Sequence, residues 1–568
     1  MTPTVAPAAP RPAHPLVVAF KPWRKRLALI GAEFAVALVA AVGFAWWSVT
    51  IAVNPMTRVG QVSGLASLQF RLAVIALPLL AVVLWTVFRS SARVHRLTVR
   101  LVCAAVAGLA TGMTAGGQVV ALRGTPWPLN GQGGDNGRLE AWATQIQHGG
   151  HMTNIYPPLL PHLTAFWAEH FNASHQSAFA LKQILIVCIA LTGPAAYLAW
   201  RLFLRPLPAL GVGLLAGVPS VVVYKPYSPL VLVVLVPLLA KLLQMLRKSP
   251  DRAYKALVWR GAALGAILAI LFLVYSGWHV WSAPGIIVAV LGLFPWRSGR
   301  AGRLRGLAFL GSAVLVFLLL AGRYMVSLLS GAASTKDRFC STLTLVDPGY
   351  FAMTPFYTRN ANLPGMWPPP GELGGVGVFT ALMVVGIGVA LTVGLKRSAV
   401  ITTVACFGSA WLVRFYFAAN MERDQAVQLF PRTYQQLLYC GLALVGLAVV
   451  LTAERIRARL RTVPGLEDLG LTGNRNRYAA IGVLAATVLL SGMAASAQSD
   501  PFFPENPKNV STMGRLAWAA HQLQKPDGSC PKYAPHGTCQ APKKLNPHSG
   551  TNDGTTLTGC EYGWRKGQ

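Results

Sequence analysis

Apolar residues recur along this chain in runs of roughly twenty, separated by short polar stretches, and a helix needs a run of that length to cross the hydrocarbon core of a bilayer. Taken in order, the runs predict helices over about 27–53, 68–88, 99–122, 180–202, 207–224, 229–246, 261–277, 283–296, 306–322, 375–395, 399–417, 434–452 and 478–497. The pattern describes an all-α polytopic membrane protein with about 13 transmembrane helices. Long polar stretches interrupt it at 123–179, 323–374 and 418–433, and a polar tail follows at 498–568. The chain therefore divides into a basic lead at 1–26, a transmembrane body at 27–497 and the tail.

Composition agrees with the pattern. Of 568 residues, 54% are hydrophobic and 12% charged, about half the charge of a soluble protein. The net charge of +32 would suit nucleic acid, but the placement of the charges argues against it. With the N-terminus inside, 29 of the 50 Lys and Arg fall in inner segments such as 89–100, 247–260, 297–305 and 455–477, while 13 of the 18 acidic residues face outward. That is the positive-inside distribution, for which anionic membrane lipid is a sufficient partner and no nucleic acid is needed. It predicts a multi-pass plasma-membrane protein with a cytoplasmic N-terminus and an extracytoplasmic tail. The first apolar run follows a long basic lead and has no small-residue cleavage site directly after it, so it reads as a signal anchor.

Four cysteines (Cys103, Cys188, Cys406, Cys440) lie in apolar runs and act there as small hydrophobic residues. The other four (Cys340, Cys530, Cys539, Cys560) fall outside, where an oxidising compartment would bridge at least one pair, within the tail by preference. The tail, rich in Pro, Gly, Lys and Thr around one apolar patch at 513–523, holds too little apolar residue for a large core.

The stretch 123–182 concentrates the candidate chemistry. It contains Gly131-Gln132-Gly133-Gly134-Asp135-Asn136-Gly137-Arg138, then Glu140, several histidines and Asn154-Ile155-Tyr156-Pro157-Pro158. A helix over Leu159–Phe171 is expected beyond the prolines, with Leu160, Leu163, Phe166, Trp167 and Phe171 as an apolar side along the membrane surface. Glycines let a ligand approach the backbone, and an outer carboxylate can take a proton from an attacking hydroxyl. Asp135 is the candidate base, with Asn136 and Arg138 to orient it; a turn residue or an N-cap of a helix starting near Gly137 is the structural alternative. His148, His151 and His162 lack helical zinc spacing, so neither a metal nor any other cofactor is expected.

Basic residues near outer helix ends could hold phosphate. They are Lys225 in Tyr-Lys-Pro-Tyr, Arg414 in Arg-Phe-Tyr-Phe and Arg432 in Phe-Pro-Arg-Thr, with Glu422 and Asp424 adding carboxylates between the last two. Snorkelling to lipid headgroups is the plain alternative for each alone. The loop 323–374 carries Tyr350, Phe351, Tyr357 and Trp367-Pro-Pro-Pro, suited to a lid or a sugar-contacting surface, or simply to interfacial anchoring.

Gly133-Gly-Asp135-Asn-Gly137, Asn154-Ile-Tyr156-Pro-Pro158, Arg414-Phe-Tyr-Phe417, Phe430-Pro-Arg432-Thr433 and the tail run Met513-Gly-Arg-Leu-Ala-Trp-Ala-Ala-His521 together resemble actinobacterial galactan 5-O-arabinofuranosyltransferases. The tail is shorter and richer in cysteine than that family's C-terminal region. The resemblance implies a GT-C-like bundle with long extracytoplasmic loops and a small extracytoplasmic C-terminal region. It also implies transfer of arabinofuranose from decaprenyl-phosphoryl-arabinofuranose, a polyprenyl-phosphate sugar donor, to a lipid-linked galactan, a lipid-linked glycan acceptor. Asp135 would then be the base, Arg414, Arg432 and Lys225 would hold the donor phosphate, and Asn136, Arg138, Tyr156, Glu422 and Asp424 would line the substrate site. A transferase for another polyprenyl-linked sugar such as mannose, or a flippase for lipid-linked sugars, are the alternatives. Against a transporter, only Glu33 places a carboxylate inside an apolar run.

Overall fold

The computed structural model describes residues 15–172, 174–332, 378–424, 432–460, 474–505 and 512–543. The chain is helical: α1 (Pro15–Ser48), α2 (Arg58–Arg89), α3 (Ala92–Ala121), α4 (Gly134–Gln147), α5 (Leu159–Phe171), α6 (Ser177–Trp200), α7 (Pro206–Gly217), α8 (Tyr227–Arg247), α9 (Tyr254–Val274), α10 (Gly277–Leu293), α11 (Gly299–Ala332), α12 (Val378–Gly394), α13 (Ser398–Asp424), α14 (Thr433–Leu460), α15 (Asn474–Ser499) and α16 (Thr512–His521). Among the described residues ten helices are long and apolar enough to cross a membrane; α7, α10 and the 381–394 part of α12 are shorter apolar helices. The result is a multi-pass bundle.

Small residues bring its central helices together. Gly108, Gly112 and Gly116 stand one turn apart on α3, and a Cβ at any of them would run into Ala37, Ala41 or Ser48 of α1. Gly193 of α6 meets the carbonyl of Ala107 in the same way. Such close backbone approach is what drives helices together in lipid, where no hydrophobic force separates protein from solvent. α3 is consequently buried along most of its length, as are α8 and α14.

The two ends of the bundle differ. One gathers the short basic connections: Arg247 donates to the carbonyl of Lys396, Arg305 to that of Pro250, and Arg455 to that of Val393. Just inside this end Glu33 of α1, 1% exposed, pairs with Arg100 of α3 and Arg201 of α6 and accepts from the hydroxyl of Tyr197 at 3.2 Å. A buried carboxylate in a membrane body requires such partners. The other end carries the polar stretch 123–172 and the tail segment 512–543.

Several boundaries differ from the sequence reading. α2 begins at Arg58 rather than 68, α11 runs to Ala332 rather than 322, and α13 runs to Asp424, so Met421–Asp424 continue a helix instead of opening a loop. The expected helix over 207–224 ends at Gly217. Pro219 lacks the N–H that would extend it, and residues 218–226 run on to α8 without helix. Unwound backbone is tolerated there because protein surrounds it: Gln498 donates to the carbonyl of Val218 at 2.5 Å, and the side chain of Ser220 donates to that of Ala216 at 2.6 Å.

Candidate active site

The stretch 123–179 folds into two helices on the loop-bearing end. Leu139 and Trp142 of α4, Leu160 of α5, Leu181, Ile184 and Leu185 of α6 and Tyr227 of α8 form a small core that fixes α4 and α5 to the bundle. α5 spans the expected residues, and Leu163, Phe166 and Phe171 are exposed. Leu160 instead turns into that core, and Trp167 donates to Gln183 at 2.9 Å. Asn172, whose sequon offers a glycan acceptor, is buried and accepts from both the backbone and the hydroxyl of Ser174.

Asp135 sits in the first turn of α4, one residue after Gly134. It is not the cap. Gly133 occupies that position and supplies no side chain, and the backbone N–H of Asp135 donates instead to the hydroxyl of Tyr224 at 2.6 Å. The Asn130 side chain and the Asn136 backbone also bond that hydroxyl. Tyr224 belongs to the unwound segment 218–226, so a neighbouring element caps the helix. The arrangement requires glycine at 134, whose φ is +56° and whose Cβ would overlap the Tyr224 hydroxyl.

Lys225, next along the unwound segment, forms an ion pair with the Asp135 carboxylate, and both side chains are about a quarter exposed. A carboxylate at a helix N-terminus also meets the positive end of the helix dipole. Asn136 turns away, fully buried, its amide donating to the carbonyl of Leu129 at 2.9 Å. It therefore braces the loop, and the bracing of Asp135 that the sequence reading gave to Asn136 comes through Tyr224 and Lys225. Arg138 lies close enough to act on the Tyr224 hydroxyl.

Tyr156 shares a hydrogen bond with Tyr227, 2.7 Å between hydroxyls, and stacks at a tilt on Trp142. Burial pushes its ionisation above the ordinary range; the Tyr227 bond and the nearby charge of Arg432 oppose that shift. Arg432 is exposed. Three residues further, Gln435 accepts from Ser228 at 3.4 Å, which ties the start of α14 to the start of α8. Arg414, 3% exposed, donates to the hydroxyl of Thr433 at 3.3 Å. Asp135 of α4 thus pairs with Lys225 of the segment 218–226, Tyr156 bonds Tyr227 at the start of α8, and Arg414 of α13 bonds the start of α14, next to Arg432, whose charge acts on Tyr156. The side chains of Glu422 and Asp424 lie outside the described residues, as do Tyr350, Phe351, Tyr357 and Trp367.

Glu140 stands lower on α4, accepting from Thr144 at 3.2 Å; burial raises its carboxyl above the usual range, and that bond partly offsets the rise. His148 and His162 bond to the carbonyls of Thr144 and Pro158, one turn back on their own helices. Tyr224 is the functional neighbour that sequence reasoning passed over, and its adjacency to Lys225 was the only signal. Comparison with known protein families and with curated proteins finds no match for this chain.

Proposed function

We propose that the protein is a membrane glycosyltransferase that takes a sugar from a polyprenyl phosphate. The reading carries over from the short motifs that resemble galactan 5-O-arabinofuranosyltransferases, with decaprenyl-phosphoryl-arabinofuranose as donor and lipid-linked galactan as acceptor, in cell-wall arabinogalactan assembly. The observation that carries it is the Asp135–Lys225 ion pair at the start of α4, with the charge of Arg432 acting on Tyr156. A base and separate cations are what displacement of a phosphate leaving group requires.

The acceptor hydroxyl oxygen attacks the anomeric carbon while Asp135 takes its proton. The bond from that carbon to the phosphate oxygen breaks, and the polyprenyl phosphate leaves with the electron pair. In the structure Lys225 neutralises Asp135. A donor phosphate competes for the ammonium, and binding then releases the carboxylate to act as base. Arg432, exposed, meets the phosphate. Arg414, buried against Thr433, sets the start of α14, which Arg432 immediately precedes. By the positive-inside distribution this face is extracytoplasmic.

A second reading draws on the unwound segment 218–226, since broken helices are the device by which transporters bind substrate within the membrane. One experiment separates the two. Purified protein in vesicles is given decaprenyl-phosphoryl-arabinofuranose or a polyprenyl-phosphoryl-mannose, together with a galactan acceptor. New glycosidic product with the arabinose donor is expected. Donor movement across the bilayer without product would replace the transferase by a transporter.

A further inference from the structure

The tail segment 512–543 has too few residues for a core of its own, yet it makes a dense set of bonds to one place, the loop that leads into Asp135. The backbone N–H of Asn130 donates to the carbonyl of Leu516 at 2.8 Å, Thr125 to that of Ala520 at 2.7 Å, and the Trp127 indole to that of Gln524 at 3.0 Å. Leu523 packs against Gly131, where a Cβ would strike it. The last contact is reciprocal. The Gln132 amide donates to the carbonyl of Lys543 at 2.9 Å and accepts its N–H at 2.8 Å, three residues before Asp135.

Lys543 lies far along an irregular strand from α16, and what returns it to the loop is local. Gln540 donates to the carbonyl of Gln522 at 2.7 Å and accepts from the N–H of Gln524 at 2.9 Å, and the adjacent Cys539 is bridged to Cys530. Without the bridge, the excursion 525–539 would be held by those two backbone hydrogen bonds and by the packing of Lys532 and Tyr533 against Gly124. Cys539 also lines a cavity of about 370 Å³ with Trp518, Gln522 and His536, so a small thiol reagent can reach it.

We propose that the tail is an oxidation-dependent clamp on the Asp135 loop, with Gln132 as the positioning residue on which it closes. Opening it is a two-electron reduction. A dithiol reductant supplies two electrons and two protons, the Cys530–Cys539 bond breaks to two thiols, and the reductant becomes its own disulfide. The excursion 525–543 then loosens, Gln132 loses its partner, and the turn before α4 gains freedom. The clamp does not depend on the transferase reading, because its readout is the order of the loop and not a product.

The test is hydrogen–deuterium exchange of the full chain in detergent, oxidised, reduced with dithiothreitol, and reoxidised. Reduction is expected to speed exchange across 522–543 and across 124–137 by about tenfold or more, reversibly, with α8 and α14 unchanged. C530S/C539S should match the reduced protein, which separates this bridge from any involving Cys340 or Cys560. Gln132→Ala should loosen 132–137 with the bridge intact. Loosening of the tail with no change at 124–137 overturns the clamp. So does a tail that stays protected once alkylation and mass measurement show the bridge open.

Discussion

The hydroxyl of Tyr224 accepts the backbone N–H of Asp135 at 2.6 Å, so the segment that supplies the counter-ion Lys225 also caps the helix bearing the carboxylate. One unwound stretch thereby fixes both members of the pair. Tyr224→Phe keeps the ring and removes the acceptor. It should lower stability by about 1 kcal/mol, the usual worth of a helix cap, and reduce transfer more than that loss alone would. Gly134→Ala should cost more, since it adds a Cβ in a left-handed conformation against the same hydroxyl. Thermal melts in detergent beside transfer assays measure both.

Asp135→Asn is expected to cut sugar transfer by about two to four powers of ten without weakening donor binding, since the phosphate no longer competes with a carboxylate for Lys225. Asn matches the size of Asp and cannot take a proton. Near-normal transfer by this variant would exclude Asp135 as the base and leave it a partner for Lys225 alone.

Arg432→Ala should weaken donor binding and turnover together, by about tenfold or more in each, since a charge-assisted bond to phosphate serves both the bound donor and the departing group. Lys225→Met should weaken donor binding while leaving the carboxylate unpaired. Direct measurement of donor affinity alongside initial rates distinguishes these from the Asp135 variant, which loses rate without losing donor affinity.

Docking of the tail should depend on pH. Burial holds His521 down to about 4 from an ordinary 6.5, with the Lys182 charge adding to the shift, and its ring bonds to the carbonyl of Ala121 at 2.9 Å. The unfolded tail binds a proton below about 6.5 and the docked tail only below about 4. Stability from docking is therefore complete above the upper value and falls as pH drops through the window, by on the order of 3 kcal/mol in total. Proteolysis of the tail should accelerate from pH 7 to 5, and His521→Gln should flatten that dependence.

What could be read from the chain was what repeats locally. Apolar runs located the membrane helices because hydrocarbon demands length and composition from each one separately. The start of α5 was visible in its prolines. The end of α7 was missed because Val221-Val222-Val223 continues the apolar run, while Pro219 alone breaks the backbone. Asp135 stood out by its glycines. Its cap and its counter-ion came from a segment about ninety residues away, and the grip of Lys543 on Gln132 joins residues more than four hundred apart. Such pairings leave no periodic trace. They follow from which ends of which helices the bundle brings together.

Glu33 has a consequence for how the protein is made. Its carboxylate enters the membrane with the first helix, yet Arg100 comes with the third and Arg201 at the end of α6. During synthesis, α1 must wait with an uncompensated charge worth up to about 3 kcal/mol against insertion. The first span is thus a provisional resident until the later helices bring its partners. Completion of α6 is the moment at which it becomes a committed part of the membrane body.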